Sequence, residues 1–197
     1  MSDYPATLNI PVPNALDLIM SRRSGSAKAM KGPGPDPDQL RSILAAGIRV
    51  PDHGKLAPWR FIVFEGEGRT RMGAILAEVV AGTPDVSAER ITQERNRFLR
   101  APVVVAVVSR TREQMPIPLW EQELSAGAVC MNMLTAAHAM GFVANWLTEW
   151  CAYHPRVMDK MGLKVTERVA GFIYLGHPVD ALEDRPRPKV EAITTRF

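Results

Sequence analysis

The chain has 197 residues, of which 46% are apolar, so it can bury a full hydrophobic core and fits one domain better than two. Its net charge of +3 comes from scattered Lys and Arg residues without a basic run, which argues against a nucleic-acid-binding protein. The two cysteines stand at neither a metal-binding nor a redox spacing, and no signal-peptide pattern precedes them. We therefore expect a cytoplasmic protein.

The first predicted feature is a polar, proline-rich segment at residues 1–13, which we expect to form an extended arm. Residues 14–197 are predicted to form a single domain. Asn14 is expected to cap a first helix, which carries apolar residues on one side and ends near Ser24. The arm and the helix lead into a glycine- and proline-rich loop.

A second helix has a strong N-terminal pattern. Asp36, Pro37 and Gln39 provide a cap, a first-turn proline and a capping-box partner. Apolar and small residues follow at helical spacing and are expected to face the core, at positions Leu40, Ile43, Leu44 and Gly47. Two prolines and a glycine between residues 49 and 58 then predict a structured loop.

Strand and helix patterns alternate through the rest of the chain. Strands are predicted at residues 60–64, 103–108, 143–147 and 169–175, and helices at residues 70–80, 88–99, 121–140 and 155–161. The strand at residues 103–108 is apolar throughout, which indicates burial on both faces. Taken alone, this alternation predicts a doubly wound α/β protein with a parallel sheet.

The helix at residues 121–140 belongs to a low-polarity stretch, residues 124–142, that is long enough to cross a membrane. Ser125, Asn132 and several small residues favour a buried helix instead, so no membrane span is expected. Because this helix is apolar nearly all round, a partner subunit is the expected cover for the face that the sheet does not bury.

Common catalytic motifs are absent from the chain. It contains no G-x-G-x-x-G, P-loop, H-E-x-x-H, C-x-x-C or G-x-S-x-G sequence, which excludes the usual nucleotide, zinc and acyl-transfer sites. The histidines stand far apart without ligand-like pairs, at positions 53, 138, 154 and 177. We therefore expect no metal site.

Three clusters could nevertheless bind a ligand. Arg22, Arg23 and Ser24 close the first helix, where two guanidinium groups and a hydroxyl could hold a phosphate. The same cations could equally complement the C-terminus of that helix without binding anything. The residues alone leave both interpretations open.

The other two clusters lie in the loop at residues 49–58 and at the end of a predicted strand. Arg49 and His53 could stabilise negative charge on a flat, electron-accepting ligand, or could belong to a loop that only caps the core. Trp146, Leu147 and Thr148 end an internal strand, where ligand contacts are frequent in α/β proteins. Trp146 could also be an ordinary core residue.

Taken together, these clusters resemble the nitroreductase family from Leu16 onward. The resemblance rests on five segments in order: Arg22-Arg23-Ser24; residues 46–53 with Pro58-Trp59; residues 65–69; residues 120–123 with residues 125–127; and residues 171–176. It implies an α+β nitroreductase-like fold with a central, mostly antiparallel sheet flanked by helices. It also implies an intertwined homodimer with two FMN molecules at the subunit interface.

The resemblance also implies roles for individual residues. Arg22, Arg23 and Ser24 would contact the FMN phosphate and ribityl chain, and Arg49 and His53 would reach the flavin from the other subunit. Further contacts come from the end of the strand and from cations in the tail, at Trp146, Leu147, Thr148, Arg185 and Arg187. The flavin would carry the chemistry, so no catalytic side chain is assigned.

The implied activity is NAD(P)H-dependent reduction of nitroaromatic, quinone or related small acceptors by ping-pong hydride transfer. The alternatives are a flavin-dependent dehalogenase or flavin-fragmenting enzyme on the same fold, or a non-catalytic basic protein that binds an anionic ligand. Two departures from the family pattern face the expected substrate region. Many members carry Ser and Asn in the loop before Gln-Pro-Trp, whereas residues 52–59 of this chain read Asp-His-Gly-Lys-Leu-Ala-Pro-Trp. After the strand end, Thr148 is followed by Glu149 and Trp150, where a small residue and Gly are common.

Overall fold

The computed structural model describes residues 13–197, so the predicted arm at residues 1–13 lies outside the described residues except for Pro13, which begins a helix. Six α-helices are present among them: α1 Pro13–Ser21, α2 Pro37–Gly47, α3 Glu67–Ala81, α4 Ala88–Arg95, α5 Leu119–Ala139 and α6 Pro155–Lys160. Five strands form the sheet: β1 Met30–Lys31, β2 Trp59–Glu65, β3 Val103–Ser109, β4 Val143–Leu147 and β5 Arg168–Pro178. The chain is therefore an α+β protein.

Every strand pair in this sheet is antiparallel, so the parallel doubly wound sheet that the alternation predicted is wrong. β5 is central, with β3 on one side and both β4 and β1 on the other, while β2 pairs with the outer side of β3. The antiparallel sheet that the family resemblance implied is confirmed.

The connections between the strands explain why the alternation of strands and helices did not give neighbouring parallel strands. α3 and α4 connect β2 to β3 and pack against each other. They return the chain to the end of β2, where β3 begins. Glu65 therefore pairs with Val103. β3 and β4, joined through α5, do run parallel to each other, but β5 lies between them and opposes both.

The sheet is covered on both faces. Even-numbered residues of β3, such as Val104 and Ala106, point into one core, which also contains Phe98, Phe172 and Tyr174. Odd-numbered residues of the same strand point into a second core built with α2 and α5. All seven residues of β3 are buried, as the uninterrupted apolar run predicted.

The second helix is confirmed in detail, whereas the first is shorter than expected. The side chain of Asp36 accepts hydrogen bonds from the backbone of Asp38 and Gln39, and the Gln39 side chain accepts one from the Asp36 backbone. Asn14 lies inside α1 and does not cap it, and α1 ends at Ser21, before the Ser24 expected from sequence. The two-residue strand β1 was not predicted, because so short a strand has no periodic pattern.

Two of the other predicted helices also differ at their ends. α4 ends at Arg95, and a separate 3-10 turn covers Arg97–Arg100, so the helix predicted over residues 88–99 is broken in two. None of the helices described between residues 13 and 197 combines the length and apolar character needed to cross a membrane.

An ion pair between Arg60 and Glu167 makes the stability of the fold depend on pH. Arg60 on β2 donates two hydrogen bonds of 2.8 Å to the carboxylate of Glu167, which is only 5% exposed. The hydrogen bond from Arg60 is the largest cause that lowers the pKa of Glu167, to about 2. The stabilisation from ionised Glu167 is complete above about pH 4.5, the ordinary pKa, and is lost as pH falls towards about 2.

We expect Glu167→Gln to unfold with about 2 kcal/mol less free energy than the wild type at pH 7, because it leaves a charged guanidinium without its partner. Urea unfolding of both proteins at pH 7, 5, 4 and 3 checks this. The difference between them should shrink as the wild-type carboxylate is protonated. A difference that stays constant over this range would contradict the assignment.

Candidate functional site

The segment after α1 is tied to two other elements through its backbone. His138 on α5 donates a hydrogen bond from Nε2 to the carbonyl oxygen of Arg23, at 2.7 Å. Asn145 on β4 donates one to the carbonyl oxygen of Gly25, at 2.6 Å. A Cβ atom at Gly25 would lie 2.5 Å from a methyl carbon of Val143, so only glycine allows this close approach. Arg22, Arg23 and Ser24 are consequently held at one place beside β4.

The C-terminal tail also contacts the segment at residues 22–24. Nε of Arg23 donates to the carbonyl oxygen of Glu183 at 2.7 Å and lies 3.5 Å from a carboxylate oxygen of Asp184. Nη2 of Arg187 lies 3.2 Å from that same oxygen. Arg23 and Arg187 therefore share one carboxylate, and Arg187 also donates to the backbone carbonyl of Arg185. The structure brings the tail cations and the segment at residues 22–24 together.

The ring of Trp146 lies against Gly171 on β5. It is 38% exposed, and its Nε1 donates a hydrogen bond of 3.0 Å to the carbonyl oxygen of Ala170. The register of β3 and β5 shifts at this point, because Val107 faces Gly171 and Val108 faces Val169, which leaves Ala170 as a bulge. Trp146 is thus not a core residue but a half-exposed ring seated on this bulge.

Gly171→Ala is expected to displace this ring, since a Cβ atom there would lie 2.0 Å from Nε1 of Trp146. Breaking the hydrogen bond and repacking the ring should lower the free energy of unfolding by about 1 to 3 kcal/mol. Urea unfolding checks the stability, and near-ultraviolet circular dichroism checks the ring. Gly127→Ala is the matched control, because its Cβ atom would lie at an ordinary 3.8 Å from the other edge of Trp146. Equal midpoints for the two variants would contradict this account.

The remaining residues of that strand end are half-buried. Leu147 packs against the core that contains Phe98, and Thr148 follows it at the end of β4. Gly25 is bound to Asn145 on the same strand, so the segment at residues 22–24 lies beside β4.

The loop at residues 49–58 is a rigid structure in which Asp52 has a structural role. Its two carboxylate oxygens accept hydrogen bonds from the backbone of Leu56, at 3.1 Å, and Ala57, at 2.9 Å. These bonds hold a turn in which Gly54, Lys55 and Ala57 adopt positive φ angles. Asp52 is therefore engaged with its own loop.

Three side chains along one side of α5 bind this loop. Glu121 pairs with Nδ1 of His53 at 2.8 Å, and both side chains are largely exposed. Ser125 donates to the carbonyl oxygen of Pro51 at 2.7 Å, and Asn132 donates to that of Arg49 at 2.8 Å. Arg49 and His53 are both exposed on the outer side of the loop.

The structure therefore gathers the sequence-predicted residues into two groups. The first contains Arg22–Ser24 and the tail cations Arg185 and Arg187, which lie beside β4, the strand that ends in Trp146–Thr148, and the second contains Arg49 and His53. Within residues 13–197 no hydrogen bond or salt bridge joins one group to the other. We call these two groups the two half-sites.

Glu149, the departure from the family pattern, has an unusual conformation and a fixed side chain. Its φ is 53°, the left-handed region that glycine adopts at low cost. Its carboxylate pairs with Arg97 and with Arg100, the latter at 2.5 Å. Sequence reasoning identified the departure at Glu149 but not its partners, because these lie about 50 residues away.

Neither cysteine is part of a redox or metal site. Cys130 and Cys151 are both free and buried, and burial raises the pKa of each thiol to about 12. Among residues 13–197 no group of three or more His, Cys, Asp or Glu side chains could hold a metal ion.

Known proteins match the chain over nearly its full length. The model of the Nitroreductase family matches residues 19–177. The Escherichia coli K12 protein named "Putative NAD(P)H nitroreductase YdjA" is 41% identical over 167 residues, which cover 84% of this chain and 88% of that protein.

Two solved structures match the fold. A nitroreductase-like family protein from Bacillus cereus superposes with a TM-score of 0.81 at 21% identity, covering 95% of this chain and 98% of the other. A "putative nitroreductase in complex with FMN" from Desulfovibrio desulfuricans superposes with a TM-score of 0.71 at 27% identity, covering 95% and 99%. The family match, the sequence identity and the shared fold lead to one conclusion: this chain belongs to the nitroreductase family.

Proposed function

We propose that the protein is an FMN-dependent oxidoreductase that uses NAD(P)H to reduce nitroaromatic, quinone or related small acceptors. The observation that carries the proposal is that Arg22–Ser24 lie beside β4 and that Arg23 and the tail cation Arg187 share Asp184, in a nitroreductase-family chain. The name of the Escherichia coli relative and the FMN in the Desulfovibrio structure support it.

The donor set at this place fits the phosphate of FMN. Arg22, Arg23 and Arg187 offer guanidinium groups and Ser24 a hydroxyl, which are the donors that bind phosphate through charge-assisted hydrogen bonds. Asp184 already bridges Arg23 and Arg187, and its carboxylate is 75% exposed. A phosphate that binds both guanidinium groups can therefore take the place of Asp184 without disrupting a buried pair.

When bound, FMN supplies the atom that takes up a hydride and passes it on. The protein's own residues position and stabilise the cofactor: Trp146 offers a half-exposed ring, Arg49 a positive charge and His53 an imidazole group. Cationic groups near the flavin favour negative charge on its ring system. Glu121 orients His53 from α5, so the imidazole is held in one direction.

We further propose a homodimer in which Arg49 and His53 of one subunit complete the site of the other. Within residues 13–197 no hydrogen bond or salt bridge joins these two residues to Arg22–Ser24, which is compatible with this arrangement. Large apolar side chains stand exposed on α1 and α5, at Leu16, Ile19, Met20, Trp120 and Leu124. Exposed large apolar side chains such as these are frequent at subunit interfaces.

Mixed dimers test the sharing of the site. A subunit carrying Arg49→Ala, combined with a subunit carrying Arg22→Ala and Arg23→Ala, should form a dimer with one intact and one doubly defective site. We expect such a tagged, purified heterodimer to have about half of the wild-type turnover, because complementary defects fall on the same site when each site uses both subunits. A heterodimer with no turnover would contradict the sharing.

The activity itself is tested by flavin extraction and by steady-state turnover. The purified protein should release FMN in a ratio of one per chain and oxidise NADH or NADPH when a quinone or a nitroaromatic is present. A dehalogenase would instead release halide from a halogenated substrate, and a flavin-fragmenting enzyme would consume its FMN. A non-catalytic protein would hold no flavin and oxidise neither nucleotide.

The cytoplasm remains the proposed location. The two thiols are buried and unpaired, which suits a reducing compartment.

A further inference from the structure

His138, in the last turn of α5, contacts two backbone carbonyl groups at once. Its Nδ1 lies 2.5 Å from the carbonyl oxygen of Leu134, one turn earlier in the same helix. Its Nε2 lies 2.7 Å from the carbonyl oxygen of Arg23, which is 115 residues away in the chain. His138 therefore joins the end of α5 to the segment at residues 22–24.

These two contacts determine which form of the imidazole ring fits. A carbonyl oxygen only accepts hydrogen bonds, so each contact needs a proton on the ring nitrogen. A neutral imidazole carries one such proton and would point its other nitrogen, an acceptor, at a second acceptor. The imidazolium carries two protons and satisfies both contacts. The geometry therefore fits the positively charged form of His138.

The place of His138 in α5 favours the same form. The carbonyl groups at the C-terminus of a helix carry partial negative charge, so a cation in the last turn is stabilised there. α5 ends at Ala139, one residue after His138. The end of the helix and the two carbonyl oxygens thus act in the same direction on the charge of the ring.

No carboxylate forms a salt bridge with this ring within residues 13–197. The acidic residues of α5 itself, Glu121 and Glu123, lie at its other end. The helices and strands that pack against α5 carry charged or histidine side chains at Asp17, Asp38, Arg41, Arg168 and His177. Since neither aspartate pairs with His138, its positive charge adds to the charges of Arg22 and Arg23.

We propose that His138 is a positioning residue of the FMN site, which as an imidazolium fixes the backbone of the segment at residues 22–24 and adds a positive charge beside it. The inference rests on the proposed function, because the anion that this segment binds is taken to be the phosphate of FMN. Loss of one ring proton removes one of the two hydrogen bonds together with the charge. FMN should therefore bind more weakly once His138 is neutral.

The dissociation constant for FMN, measured by flavin fluorescence on dilution at pH 6, 7, 8 and 9, tests the proposal. His138→Gln should weaken binding about tenfold at pH 6, which corresponds to the loss of one charge-assisted hydrogen bond. The ratio of its dissociation constant to that of the wild type should fall several-fold by pH 9, because the wild type then also lacks the charge. The phosphate of FMN changes its charge in this range too, but it does so with both proteins, so the ratio isolates His138.

Asn145→Ala is the matched control. It removes the hydrogen bond that holds the carbonyl oxygen of Gly25, next to the same segment, but it removes no titratable group. Its dissociation constant should exceed that of the wild type by a ratio that stays constant with pH.

Nitrogen NMR of the FMN-loaded wild type with labelled histidines tests the charged form directly, without a variant of His138. The signals of His53, His154 and His177 are assigned by replacing each in turn with glutamine. Both nitrogens of an imidazolium carry a proton and resonate at similar frequencies, whereas a neutral ring gives two widely separated signals. We expect the imidazolium pattern for His138 at pH 7.

The proposal is overturned if His138 shows the pattern of a neutral ring at pH 7, or if His138→Gln binds FMN as tightly as the wild type at pH 6. It is also overturned if the ratio for His138→Gln is as constant with pH as that for Asn145→Ala. A wild type that takes up no FMN at any pH would contradict the proposed function, and the NMR pattern of the flavin-free protein would still decide the form of His138.

Discussion

Replacing Arg22 and Arg23 together with alanine is expected to weaken FMN binding by roughly 2 to 5 kcal/mol, the scale for losing partly buried charge-assisted contacts. Both side chains are half-buried, and the backbone carbonyl of Arg23 is fixed by His138. The remaining donors, Ser24 and Arg187, cannot replace two guanidinium groups. The dissociation constant, measured by flavin fluorescence on dilution, should rise by at least an order of magnitude.

A control variant carries Arg41→Ala and Arg71→Ala. Both of these arginines are exposed on helices away from the two half-sites, so the control changes the net charge equally without removing a proposed contact. It should bind FMN like the wild type. Copurification of one FMN per chain with the Arg22→Ala, Arg23→Ala variant would contradict the assignment.

Glu94→Ala is expected to lower the free energy of unfolding by about 3 to 5 kcal/mol. Glu94 is fully buried and accepts hydrogen bonds from Arg97 and from Nε1 of Trp150. Its removal leaves a charged guanidinium, 11% exposed, with one carboxylate fewer. Because a domain of this size has a total stability of about 5 to 15 kcal/mol, the loss should be visible as a large shift of the urea midpoint.

Glu67→Ala is the control for this experiment. Glu67 also faces an arginine one helical turn away, but it is 93% exposed, so its removal should cost no more than about 0.5 kcal/mol. Both variants are compared with the wild type at one protein concentration and with saturating FMN, because a bound ligand and a partner subunit shift apparent stability. A Glu94→Ala variant within 0.5 kcal/mol of the wild type would mean that this carboxylate does not hold the cluster.

Local patterns in the sequence predicted local structure well. The capping box at Asp36 and Gln39 depends only on residues three positions apart, so it could be predicted and was confirmed. The apolar run of β3 and the strand at residues 143–147 were confirmed for the same reason. Antiparallel pairing depends on how α3 and α4 return the chain to the end of β2, which no local pattern records.

The same contrast between local patterns and long-range contacts applies to the candidate site. Arg22, Arg23 and Ser24 could be identified because the family resemblance adds information that spacing lacks, although their role in FMN binding stays a prediction. The cluster around Glu149 could not be identified, since Arg97 and Glu149 meet only after the sheet has formed. The departure from the family pattern at Glu149 was visible in sequence, but its consequence depends on long-range ion pairs.

The central claim is that the protein holds FMN and accepts electrons from a nicotinamide nucleotide. An absorbance spectrum of the purified protein, followed by anaerobic addition of NADH and then NADPH, tests it most directly. The account predicts a yellow protein whose flavin bands bleach on at least one addition. A colourless protein that takes up no added FMN would contradict the account.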